Sequence, residues 1–182
     1  MKRFVKQCTE QFKQSALSLV EKVFSDYEGE QEGKFTRRLV EVIRAQKYYV
    51  PELEFVMTDE NGQLLGYAMF SRFHLNGKYD DKLLLLSPVA VRTDMQRQHI
   101  SKDLIEYGFE KAKQLGFKAV IVEGNPQNYR SRGFVTSAPF GIVASPNIGL
   151  PAIECLMVKE LVPNGLDGIQ GELDYDFYEC LR

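Results

Sequence analysis

The sequence predicts a single domain, residues 1–182, of mixed α/β (α+β) architecture. Three observations lead there. The turn signals Glu60-Asn61-Gly62 and Asn76-Gly77 each lie between segments of strand character, so antiparallel hairpins are expected. Between Leu83 and Val122 a strand, a polar turn, an amphipathic helix and a second strand follow one another; a unit of that length implies a right-handed parallel crossover. The chain has 182 residues, 44% of them apolar and 26% charged, which suits one domain that buries its core without disulfides or metal.

The same bulk properties exclude several classes. Net charge is -2 and no long basic run occurs, so nucleic-acid binding has no electrostatic support. Cys8, Cys155 and Cys180 are scattered, with no C-x-x-C pair, and read as free thiols in a reducing compartment; no metal site is expected. The opening MKRFVKQCTEQFK has no apolar signal core and no apolar run approaches a membrane span, so no membrane partner and a cytoplasmic location are expected.

Lys2 to Cys8 alternates weakly, as a short strand does. Thr9, a plausible N-cap, precedes Phe12, Ala16, Leu19, Val20, Val23 and Phe24 on one helix face. Ser25 to Gly33 is polar and reads as a loop. A second helix then turns Phe35, Leu39, Val42 and Ile43 inward and Arg37, Arg38 and Arg44 outward, and Pro51 bars its continuation. Leu53–Thr58 and Leu64–Leu75 read as hairpin strands, the second with Gly66 marking a bulge or a close backbone approach. Leu83 to Val91 is almost continuously apolar, as befits a central strand covered on both faces, but Pro88 offers no N–H and should lose pairing there. That gap is a place for a cleft. Ile100, Leu104, Gly108, Ala112 and Leu115 mark the following helix, ended by Gly116. Phe117–Val122 is a strand, and Pro126–Arg132 a short helix with Asn125 as N-cap. Residues 139–151 read as loop and Ile153–Leu161 as a late strand.

The turn between Val91 and Lys102 feeds a helix start, where unpaired N–H groups and the helix dipole make a seat for an anion. The segment Gly124, Asn125, Pro126, Tyr129, Gly133, Phe134, together with Tyr49 to Val56 (YVPELEFV), resembles the GNAT superfamily of N-acetyltransferases. Within it the chain is similar to a small bacterial "predicted N-acetyltransferase" subgroup. The resemblance implies a mixed, mostly antiparallel twisted sheet with a central splay between the strands at Val89 and Val122, and helices on both faces. Acetyl-CoA would lie in the splay, its pantetheine arm held by backbone groups of Val89, Ala90 and Val91. A (Q/R)-x-x-G-x-(G/A) turn would hold the pyrophosphate; the matching residues are Gln96, Arg97, Gln98, His99, Ile100 and Ser101. His99 and Ser101 stand where the pattern has small residues. Ser101 stays small and can donate its hydroxyl. Two roles are open to His99: a ring N–H donated to phosphate, or obstruction of it. Arg97 and Lys102 lie beside the turn and can restore attraction for the anion.

The chemistry implied is transfer of an acetyl group to an amine by direct attack in a ternary complex. Tyr129 matches the family tyrosine that protonates the departing thiolate, a role suited to a phenol that is protonated at neutral pH. A backbone N–H near Val89 or Ala90 would face the oxyanion, and Asn125 is either a pantetheine ligand or simply the helix cap. For the base, Glu123 at a strand end is the first candidate, beside Glu52, Glu54, His74 and an ordered water. The resemblance leaves the acceptor open among small amines, aminoacyl compounds and protein amino groups, that is, a small-molecule or peptide amine. Tyr27, Tyr48, Tyr49, Phe73 and Phe140 are candidates for an aromatic wall around it, with Glu28, Glu30 and Glu32 as attraction for a cation. A homodimer is one assembly open to such a domain. The competing reading is a catalytically silent CoA-binding sensor or interaction module of the same fold.

Overall fold

A computed structural model describes residues 2–175; Cys180 lies outside the described residues. The chain runs β1 (Arg3–Gln7), α1 (Glu10–Glu28), α2 (Glu30–Arg44), β2 (Glu54–Asp59), β3 (Leu64–Leu75), β4 (Lys78–Val91), α3 (Ile100–Gln114), β5 (Ala119–Glu123), α4 (Pro126–Tyr129), β6 (Val135–Thr136), β7 (Ile142–Ala144), β8 (Leu156–Glu160) and β9 (Gly171–Leu173). Seven strands form one sheet in the order β1-β2-β3-β4-β5-β8-β6. Its neighbours pair antiparallel except β4 and β5, the two strands joined through α3.

Alternation along the central strands builds two cores. Leu83 and Leu85 of β4 and Ala119 and Ile121 of β5 join Val20, Val23, Val40 and Ile43 beneath α1 and α2. Leu84, Leu86, Val120 and Val122 join Ile100, Leu104 and Ile105 beneath α3. Helices therefore cover both faces, which is why β4 carries four consecutive leucines. Each fully buried leucine contributes about 1.5–3 kcal/mol of burial free energy.

The splay has a local cause. Ala68 of β3 opposes Val89, while Phe70 opposes Leu86, so β4 carries one residue more than β3 across Ser87-Pro88. Such a bulge bends a strand and sharpens its twist. β4 and β5 pair only from Leu83–Leu85 to Ala119–Ile121. Beyond those residues β4 stays on β3 through Val91, and β5 stays on β8 through Glu123. Gly66 meets both expectations for it. The register shifts between Met57 and Thr58 opposite it, and a Cβ there would fall 2.6 Å from the Ile100 side chain. Its absence lets the first turn of α3 press onto β3.

Several local readings are corrected. The polar stretch from Ser25 to Gly33 is helical apart from Gly29, whose φ of 99° makes the whole turn between α1 and α2. Intrahelical pairs Lys22–Asp26 and Lys34–Glu30 hold the flanking turns. The stretch 139–151 is not all loop, because β7 pairs parallel with β9. Phe35 is exposed rather than inward.

Arg44 is turned in rather than out. Its guanidinium binds the fully buried carboxylate of Glu54 through Nε at 3.0 Å and through Nη2. The hydroxyls of Tyr49 and Tyr67 donate to the same carboxylate at 2.6 and 2.7 Å. Burial, and then Glu54, push the neighbouring Cys8 thiol up to about 12, so it is a packed, unreactive thiol. The network ties β1, β2, β3 and α2 together. Arg44→Met leaves a buried carboxylate without its cation and should cost about 3–5 kcal/mol in urea unfolding. The double variant Arg44→Met/Glu54→Leu should recover part of that loss; additive losses would show that the ion pair is not what holds these elements.

Candidate active site

Where β4 and β5 part, a cleft of about 1090 Å³ opens. Its floor is the divergent strand ends from Leu85 to Val89 and from Glu123 to Asn125. One wall is the α1–α2 hairpin, with Phe24, Tyr27, Glu28, Glu32 and Phe35; the other is the β4–α3 turn together with Asn128, Tyr129 and Arg132.

The turn keeps the conformation that glycine would favour without the glycines. Arg97 and His99 both adopt left-handed backbone, with φ of 58° and 64°. For residues bearing a Cβ this costs about 1–2 kcal/mol each. His99 is the residue before α3, and its carbonyl accepts the first helical bond, from Asp103 N–H at 2.9 Å. Ile100, 1% exposed, anchors the helix start in the core. The first N–H groups of α3 have no acceptor within the helix, and His99, Ile100 and Ser101 at its start line the cleft.

Residues of the expected cofactor set separate into two groups. Val89, Val91, Gln96, Arg97, His99, Ile100, Ser101 and Asn125 line the cleft. Ala90, Gln98 and Lys102 do not. Ala90 is buried in the core beneath α1 and α2. Gln98 is turned outward to Arg3, which donates to its carbonyl at 2.6 Å and to its side chain. Lys102 faces Glu106 at 3.8 Å along the helix exterior. Gln96 is held over the cleft rim by the Tyr27 hydroxyl, which donates to its carboxamide. Asn125 caps α4, accepting from Gln127 N–H at 3.0 Å, while also lining the cleft.

Tyr129 and Glu123 reach the gap from opposite sides of the sheet. Tyr129 packs edge-on to Phe134, ring centroids 5.7 Å apart, in the core beneath α3. Gly124 makes room for it, since a Cβ there would fall 2.8 Å from the ring. Among the described residues its hydroxyl makes no hydrogen bond. Burial raises its pKa above that of an ordinary phenol, with Arg132 pulling in the other direction. Glu123 continues the Ala119–Ile121 alternation and so points to the α1–α2 face. Its Oε2 accepts from the Tyr175 hydroxyl at 2.8 Å, and Tyr175 in turn stands edge-on to Phe73.

Other residues singled out from the sequence lie elsewhere. Glu54 belongs to the buried network and Glu52 is exposed beside it. His74 accepts from Gly77 N–H at the far hairpin. Tyr48, Tyr49, Phe73, Phe140 and Glu30 do not line the cleft, whereas Tyr27, Glu28 and Glu32 do. Sequence reasoning missed Arg132 and Tyr175. Both reach the cleft from distant segments: Arg132 Nη2 donates to Ser101 Oγ at 2.8 Å, across 31 positions. The Tyr129–Arg132 spacing of one helical turn was the only signal. Among the described residues no three His, Cys, Asp or Glu side chains converge as metal ligands, and no helix is long and apolar enough to cross a membrane.

Residues 19–139, which include α2, β4, the turn, α3 and the Tyr129 segment, match the model of the Acetyltransferase (GNAT) family. The chain belongs to the GNAT acetyltransferase family. It is 28% identical over 124 residues to the uncharacterized N-acetyltransferase YhbS of Escherichia coli K12, covering 68% of this chain and 71% of that protein. A crystal structure of Escherichia coli YhbS in complex with CoA superimposes with a TM-score of 0.84, at 21% identity, over 98% of this chain and 92% of that one. A GNAT acetyltransferase of Brucella melitensis in complex with acetyl-CoA gives 0.63, at 25% identity, over 73% and 82%. The splayed β4–β5 pair is thus part of a GNAT fold, in which this chain's turn holds left-handed backbone with Arg97 and His99.

Relief of that strain is measurable. His99→Gly should raise unfolding stability by roughly 0.5–1 kcal/mol, the left-handed penalty relieved less the extra entropy of the unfolded chain. A loss of stability would mean that the imidazole itself holds the turn.

Proposed function

We propose that the chain is an N-acetyltransferase that moves the acetyl group of acetyl-CoA to a primary amine by direct attack. The observation that carries this reading is the placement of Tyr129 and Glu123 on opposite faces of the same strand gap. A thioester lying in the gap would have an acid on one side and a base on the other.

The steps follow from that placement. Beyond Leu85 the edge of β4 has lost β5 as a partner, so its amide groups are free to pair with the amides of an extended pantetheine arm. Val89 or its neighbour offers an N–H to the carbonyl oxygen as it becomes an oxyanion. Glu123, with one oxygen held by Tyr175, takes the proton that the amine must lose. The amine nitrogen bonds to the acetyl carbon, the C–S bond breaks, and the thiolate takes the Tyr129 proton. Burial keeps that phenol protonated, and the same dry surroundings raise the basicity of the thiolate it serves.

The acceptor would enter from the α1–α2 face. The acids of the cleft, Glu28, Glu32 and Glu123, lie on the hairpin and at the end of β5; its arginines lie on the turn and after α4. Phe24, Phe35 and Leu39 supply an apolar surface between. That combination favours an amine on an uncharged, apolar body over one bearing a carboxylate.

Acceptor-dependent release of CoA thiol across a panel of amines tests the reading. Apolar monoamines and peptides with apolar N-terminal residues should stimulate release more than free amino acids. If no amine stimulates release while CoA still binds, the protein is a silent CoA-binding module, and His99 at the turn becomes its distinguishing feature. With an active acceptor, Tyr129→Phe should lower kcat by roughly 10²–10⁴-fold with little change in KM for acetyl-CoA. Parallel losses in both would mark Tyr129 as packing only.

A further inference from the structure

We propose that Arg132 completes the anion seat of the β4–α3 turn and takes the charge of the cofactor's pyrophosphate. The assignment rests on the acetyl-CoA reading above and adds a residue that lies outside the turn. Arg132 follows α4, lines the cleft, and reaches along its wall to the first turn of α3, where Nη2 donates to Ser101 Oγ at 2.8 Å. Its Nε is buried and has no acceptor among the described residues. No carboxylate there lies within ion-pair distance of it. A guanidinium has five N–H donors in a planar fork suited to two oxygens of one phosphate, and a buried donor without an acceptor is unfavourable unless something fills the place.

Ser101 gains a reason to be serine. Its hydroxyl holds the guanidinium beside the N–H groups that open α3, so the side chain and the helix start face the same point. Arg97, on the other flank of His99, lines the same cleft. Two arginines and a helix start would then offset whatever backbone approach is lost by having a histidine where the family pattern has glycine. The Ser101 contact places Arg132 at the helix start, which favours the pyrophosphate over the ribose 3′-phosphate.

Calorimetry with CoA, 3′-dephospho-CoA and pantetheine, on wild type and on Arg132→Gln, tests this. Affinity for CoA and for 3′-dephospho-CoA should both fall roughly 10- to 100-fold, the scale of a lost charge-assisted hydrogen bond, while pantetheine, read by competition, binds both forms alike. Equal CoA binding by the two proteins would overturn the assignment and leave the acetyl-CoA reading standing. Loss for CoA with none for 3′-dephospho-CoA would move the contact to the 3′-phosphate and overturn the pyrophosphate assignment. Equal loss for pantetheine would reduce Arg132 to a structural tie. A wild type that binds no CoA would sink the acetyl-CoA reading itself. Thermal melting without ligand checks the fold; if Arg132→Gln does not fold, Arg132→Lys, which keeps the stem and a cation without the fork, makes the same three-ligand comparison.

Discussion

The structure depends on a backbone pairing that stops early. β4 and β5 are neighbouring central strands, and they pair in register over only three residues each. In an ordinary sheet the edges beyond Leu85 and Ile121 would be joined, because a buried N–H or C=O without a partner is unfavourable. Here a bulge at Ser87-Pro88 turns β4 away while β3 still holds it. The result is a polar backbone edge inside an apolar frame, a surface suited to an extended amide-bearing molecule.

Everything around the gap follows the two-faced character of the sheet. Because side chains alternate along β5, Glu123 falls on the face of α1 and α2 while Val122 falls on that of α3. Two residues separate α4 from the end of β5, and α4 carries Tyr129 back to the α3 side. One strand end therefore delivers the Glu123 carboxylate and the Tyr129 phenol to opposite faces, six positions apart. The frame must be stiff for that geometry to persist, and the Arg44–Glu54 network, with Tyr49 and Tyr67 satisfying the remaining carboxylate positions, supplies stiffness at the far edge of the sheet.

Much of this was legible in the sequence, for identifiable reasons. Four successive leucines in β4 announce burial on both faces, and Pro88 announces a break in the ladder. The turn was legible by its place before a helix, but its left-handed conformation was not: arginine gives no sign of positive φ, and histidine, though enriched there, adopts it in only a small minority of cases. Arg44 was misread because helix periodicity sees only one helix; its partner Glu54 lies on a strand and is visible only in the fold. The same reason hid Arg132 and Tyr175, whose partners Ser101 and Glu123 are separated from them by 31 and 52 positions. Phe35 broke the inward pattern of α2 because a cleft, not core, lies beside it.

A crystal structure with CoA bound is the most direct measurement of the central claim. The account predicts the pantetheine arm along the free edge of β4, with its sulfur between the Tyr129 hydroxyl and the Glu123 carboxylate. CoA seated elsewhere, or β4 and β5 closed onto one another past Leu85, would contradict it.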